Sequence, residues 1–160
     1  MSQSLTSLYV HVIFSTKNRS PLLKDRNIRR RLHAYIAGSC NNMCCDPLEI
    51  GGVEDHVHML TDFNRSLAIA NFVRDLKRET SKWIKCIDSQ LKDFSWQKGY
   101  GAFSISPIHV PALKVYIKNQ EEHHKLEGYK EEFRRLCEKH CQCLFLLRLY
   151  RLPNHTWYGT

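Results

Sequence analysis

His56 and His58 flank a single valine and lead into Met59-Leu60. On a strand, side chains alternate between faces, so the two imidazoles share one face while Val57 and Met59 take the other. Two imidazoles about 7 Å apart along a strand can meet at one metal ion if the strand twists slightly. The alternative is a pair of solvent-facing strand histidines. Further on, Tyr116 and Gln120 stand four residues apart, which puts them on one helix face with His123 close by. A tyrosine hydroxyl is a nucleophile and an amide oxygen is a neutral metal ligand. The same spacing also describes an ordinary packing pair. Cys137, His140, Cys141 and Cys143 crowd together near the end of the sequence but lack the paired CxxC spacing of a zinc site.

These residues need elements to carry them. Leu8 to Phe14 alternates as a first strand buried on both faces, with His11 as a sheet residue near a site rather than a ligand. Lys17 to Pro21 is a basic loop. Asp25 or Asn27 caps a helix through about Asn41, with Ile28, Leu32, Tyr35 and Ile36 inside and Arg29, Arg30 and Arg31 mostly on its wet side. Cys45 to Val53 and His56 to Phe63 form a hairpin through Glu54-Asp55. Ser66 caps a second helix, Leu67 to about Ile87, whose exposed side carries Arg74, Lys77, Arg78, Lys82 and Lys85.

Phe94 to Ser106 reads as a turn entering a fourth strand. Its Trp96, Tyr100 and Phe103 lie among Lys98, Gly99 and Gly101, which suits either base stacking or a core edge. Pro107 to Pro111 starts a third helix, about Pro111 to Leu126, and a last helix covers about Tyr129 to His140. The order β-α-β-β-α-β predicts an α+β fold: a ferredoxin-like or RRM-like antiparallel sheet with two helices on one face and the other face open to a ligand.

The balance of 24 basic against 16 acidic residues gives a net charge of +8 and favours a polyanionic partner, nucleic acid first. No stretch approaches the ~20 apolar residues of a membrane helix, and no signal peptide opens the sequence. With the odd count of seven cysteines, this predicts a cytoplasmic protein with reduced thiols and no membrane partner.

Four blocks in order resemble the single-tyrosine HUH transposases of bacterial insertion sequences and their domesticated relatives associated with repetitive extragenic palindromes. They are Tyr9-Val10-His11-Val12-Ile13-Phe14-Ser15-Thr16-Lys17-Asn18-Arg19, Gly52-Val53-Glu54-Asp55-His56-Val57-His58-Met59-Leu60, Trp96-Gln97-Lys98-Gly99-Tyr100-Gly101-Ala102-Phe103-Ser104, and Tyr116-Ile117-Lys118-Asn119-Gln120-Glu121-Glu122-His123-His124. The resemblance implies a transposase domain over residues 1–140, with the tyrosine on a C-terminal helix of the sheet domain. It implies that His56, His58 and Gln120 bind a divalent metal, Mg²⁺ or Mn²⁺. Tyr116 would attack a DNA phosphodiester, leaving a 5′-phosphotyrosine link and a free 3′-hydroxyl. It further implies single-stranded DNA with hairpin ends as substrate, and a homodimer. Lys17, Arg19, Arg74, Lys77, Arg78 and Lys98 are the candidate DNA contacts. The cysteine- and leucine-rich run 141–160 departs from the family's pattern and reads as a divergent tail. The main alternative is a non-catalytic RRM-like binder of single strands with structural histidines.

Overall fold

Tyr9–Ser15 (β1) and His56–Asp62 (β3), buried on both faces, lie side by side at the centre of the sheet. The computed structural model describes residues 5–124 and 128–140. Asp46–Gly52 (β2) pairs with β3, and Gly101–Ile105 (β4) pairs with β1. Every pairing is antiparallel and the order is β2-β3-β1-β4. With one helix after β1 and one after β3, this is the ferredoxin-like arrangement expected from the sequence.

The register sorts the two faces. Val12 stands opposite Met59 and Phe14 opposite Val57, and this face is the hydrophobic core. Arg26–Asn42 (α1) contributes Leu32, Ile36 and Cys40 to that core. Ile69–Ile87 (α2) contributes Phe72, Val73, Leu76 and Ile84. On the other face His11 stands opposite Leu60, Ile13 opposite His58, and Ser15 opposite His56. A strand buried on both faces loses its polar/apolar alternation, which is why β1 reads as a near-continuous apolar run.

Asp25 caps α1 as expected, its carboxylate accepting from the amides of Asn27 and Ile28. Ser66 does not cap α2. The helix begins two residues later than the sequence suggested, behind Ala68, which makes no side-chain cap. Arg29 is also not on the wet side of α1: it is only 7% exposed, its guanidinium taken up by backbone carbonyls and the carboxylate of Glu121.

The third helix is not continuous. Val110–Lys118 (α3) ends at Asn119, whose φ of −97° and ψ of 20° leave the helical well, and the short Gln120–His123 (α4) follows. The expected end near Leu126 lies outside the described residues. The chain divides into two compact units, Met1–Glu121 and Glu122–Thr160. In the second unit, Tyr129–His140 (α5) matches the last helix expected from the sequence, and its Glu132 lies 3.3 Å from Nε2 of His124. The tail 141–160, with Cys141 and Cys143 of the candidate zinc cluster, lies outside the described residues.

Candidate active site

His56 and His58 sit on β3 with their side chains on the face opposite the core, and both are fully buried. Their ring centroids are 5.0 Å apart, and a nitrogen of each lies within 4.8 Å of the other. Each ring is fixed through Nδ1. For His56 the partner is Asp55, whose Oδ1 lies 2.7 Å from it. For His58 it is Nε2 of His11, 3.0 Å away across the β1–β3 pair.

These hydrogen bonds choose the tautomers. A carboxylate accepts, so His56 carries its proton on Nδ1. If His58 likewise donates from Nδ1, His11 accepts at Nε2 and is itself protonated on Nδ1. Both candidate ligands then present an Nε2 lone pair, the form a metal needs.

The carboxylate of Asp55 is held in turn. Arg19 reaches its Oδ2 at 3.5 Å, and the Asp55 carbonyl accepts from the Thr16 amide at 2.8 Å. Arg19 reaches it from a turn in which both it and Asn18 take left-handed backbone angles, φ 54° and 55°. Such angles are costly for non-glycine residues and persist only where neighbours hold them. Here Gln97 Oε1 accepts from the Asn18 amide at 3.1 Å, and Thr16 Oγ1 donates to the Ser20 carbonyl at 2.6 Å.

The helix bearing Tyr116 lies on this same face, so the open face expected from the sequence is partly covered. Gly51 of β2 pairs with His58, and a Cβ on Gly51 would collide with the Ile117 carbonyl. Only a missing side chain lets α3 approach so closely. Tyr116 therefore stands beside the histidines: its ring meets that of His58 edge-on at 6.0 Å between centroids. Gln120 follows the Asn119 break and is buried, with 1% exposure.

The basic candidates divide. Lys17 and Lys98 are exposed, on loops joined by the Lys17 amide donating to the Ser95 carbonyl at 2.8 Å. Arg19 is committed to Asp55. Arg74 pairs with Asp75, and Arg78 with Asp75 and Glu79, all at the surface. Lys77 is half-buried: its ammonium donates to the carbonyls of Gln97 and Gly99, both at 2.8 Å, and lies 5.3 Å from the centre of the Phe14 ring. Burial lowers its pKa to about 8, while the carbonyl acceptors favour the charged form. It clips the 97–99 loop.

The aromatics divide similarly. Trp96 and Phe103 are core residues, Trp96 donating to Thr80 Oγ1 at 2.9 Å and packing edge-on against Phe14. Tyr100 is exposed.

Sequence reasoning placed His11 near a site. Asp55 is a further site residue, and its signal in the sequence is a carboxylate immediately before a strand histidine.

Residues 4–120 match the family model described as Transposase IS200 like. The chain belongs to this family. The match ends at Gln120, so it takes in the histidine pair, Tyr116 and the candidate amide ligand. No protein of curated function matches. Two solved structures share the fold. One, a candidate transposase of Deinococcus radiodurans R1, has TM-score 0.59 and 20% identity over 75% of this chain and 98% of its own. The other, a REP-associated tyrosine transposase bound to a REP hairpin, has TM-score 0.56 and 15% identity over 78% of this chain and 74% of its own. Among the described residues no helix is long and apolar enough to cross a membrane.

Proposed function

We propose that this transposase cleaves and rejoins single-stranded DNA through Tyr116, with His56, His58 and Gln120 holding a divalent metal, Mg²⁺ or Mn²⁺. The observation that carries the reading is the edge-on approach of Tyr116 to His58, whose Nδ1 is already engaged by His11. A nucleophile thus adjoins an imidazole oriented as a ligand. Two imidazoles and an amide are neutral donors, and imidazole and oxygen sets accept ions of this class. When bound, such an ion supplies a Lewis acid for the scissile phosphate and a template for its orientation.

The protein's own residues do the remaining work. Tyr116 Oη forms a bond to phosphorus as the bond from phosphorus to the 3′-oxygen breaks. The phenolic proton is given up and the departing 3′-oxygen takes one, leaving a 5′-phosphotyrosine and a free 3′-hydroxyl. The link keeps the phosphodiester bond energy, so attack by another 3′-hydroxyl reverses it without ATP. Free tyrosine ionises near pH 10, so most of the hydroxyl is protonated at neutral pH. Burial of the histidines excludes water from one side of the reacting group.

The substrate in this reading is single-stranded DNA with hairpin ends. That rests on the family and on the structural neighbour that holds a hairpin, together with the +8 net charge. The protein acts in the cytoplasm as a homodimer. Lys17 and Lys98, exposed on adjoining loops, are the strongest phosphate-binding candidates, with Arg74, Arg78 and the half-buried Arg19 and Lys77 as additions.

Covalent trapping tests the reading. Labelled strands from both flanks of the gene are mixed with protein and Mn²⁺ or chelator. The expected product is a denaturation-resistant adduct that needs metal and is absent in Tyr116→Phe. Tight strand binding with no adduct would instead favour an RRM-like binder.

A further inference from the structure

The candidate ligand Gln120 follows a helix break, so something other than α3 must fix it. The neighbouring residue shows how. Glu121 Oε1 accepts from the Arg29 guanidinium, and its Oε2 lies 2.9 Å from the Arg26 guanidinium. Both arginines belong to the first turn of α1, the helix on the opposite face of the sheet from α3. Arg29 is itself locked, its Nη1 donating to the Leu23 carbonyl at 2.6 Å. The Leu23 amide in turn donates to the Glu54 carbonyl at 2.9 Å, one residue before Asp55.

We infer that Arg29 and Glu121 are positioning residues: their ion pair seats Gln120 against the histidine face and ties it to the loop that orients His56. The inference rests on the proposed role of Gln120 as a ligand. A buried guanidinium with one arm held by a backbone carbonyl and the other donating to a carboxylate is a geometric restraint as well as a charge pair, because the planar donors fix the direction of approach. Arg26 is far more exposed, at 79% of its side chain, and adds a weaker outer ion pair. His33 stands beside the pair. Its pKa is lowered to about 4, chiefly by burial and then by Arg29, so at neutral pH it adds no further cation beside the two arginines on Glu121.

Two readouts test the pair in Glu121→Gln, with Glu121→Asp as the conservative partner. In metal-free protein, amide exchange across residues 117–121 should quicken in Glu121→Gln while residues 56–60 stay protected. Mn²⁺ affinity, read by electron paramagnetic resonance, should fall by about 10-fold or more, and Glu121→Asp should recover part of it. A folded Glu121→Gln variant with unchanged exchange over 117–121 overturns the restraint. Faster exchange with unchanged Mn²⁺ affinity overturns its link to the site. If the unsubstituted protein bound no Mn²⁺, the metal reading would fail, and the exchange data alone would still judge whether Glu121 anchors this segment. Should Glu121→Gln not fold, Arg29→Lys keeps the charge but loses the planar donor geometry and should give the same changes at smaller amplitude; no change in exchange then overturns the anchor.

Discussion

His11 and His58 approach through one ring nitrogen each, 3.0 Å apart, across the two central strands. The contact engages Nδ1 of His58 and leaves Nε2 as its candidate ligand atom. His11→Phe keeps an aromatic ring beside Phe103 but removes the acceptor. Mn²⁺ affinity should drop about 10- to 100-fold, measured by titration of the folded variant. Unchanged affinity would show that the tautomer of His58 is set elsewhere.

Gly51 is where α3 rests on the sheet. Gly51→Ala places a methyl group against the Ile117 carbonyl. It should cost about 1–3 kcal/mol in urea unfolding. Adduct formation should fall further than this loss of stability explains, because Tyr116 moves with the helix. Equal adduct yields at full folding would mean that α3 need not lie this close during the reaction.

His33 predicts an acid-sensitive fold. Its folded pKa is lowered from 6.5 to about 4, chiefly by burial, with Arg29 adding to the effect and Glu121 opposing it. The unfolded chain therefore takes up a proton near pH 6.5 that the folded chain refuses until about pH 4. The stability contributed by the neutral ring is complete above pH 6.5 and falls as the pH is lowered through that window, by about 3 kcal/mol in all. Urea midpoints between pH 4.5 and 7 should slope less in His33→Gln than in the parent protein.

Lys77 and Lys98 should separate in binding experiments. Lys98→Ala and Lys17→Ala remove exposed charges and should each flatten the salt dependence of strand binding, by about 0.7 for every phosphate left without its cation. Lys77→Met should change that slope less and instead quicken amide exchange at residues 97–101, since its ammonium holds those carbonyls. A slope flattened as much in Lys77→Met would place its ammonium on the DNA after all.

The strands were legible because period-two alternation and β-hairpin spacing are local signals. The faces of His56 and His58 follow directly from that period. The Asn119 break was not legible, since Val115 to His124 contains no proline or glycine and reads as one helix. Nor was the burial of Arg29, which depends on a carboxylate 92 positions away. Lys77 looked like one more charge on a basic helix face, and only the path of the 97–99 loop over it reveals its task. Long-range polar pairs leave no periodic trace. Such pairs orient the histidines and anchor the segment after Tyr116.

The interruption at Asn119 divides torque as well as helix. In an unbroken helix, a rotation of Tyr116 would turn Gln120 with it. Two short rods joined at one non-helical residue absorb such a rotation in a single pair of backbone angles. In the proposed reaction, a DNA strand bonded to Tyr116 can therefore pull on its tether without wrenching the amide from its seat. The proposed nucleophile and the proposed ligand share a segment of chain, yet each keeps its own mechanical ground.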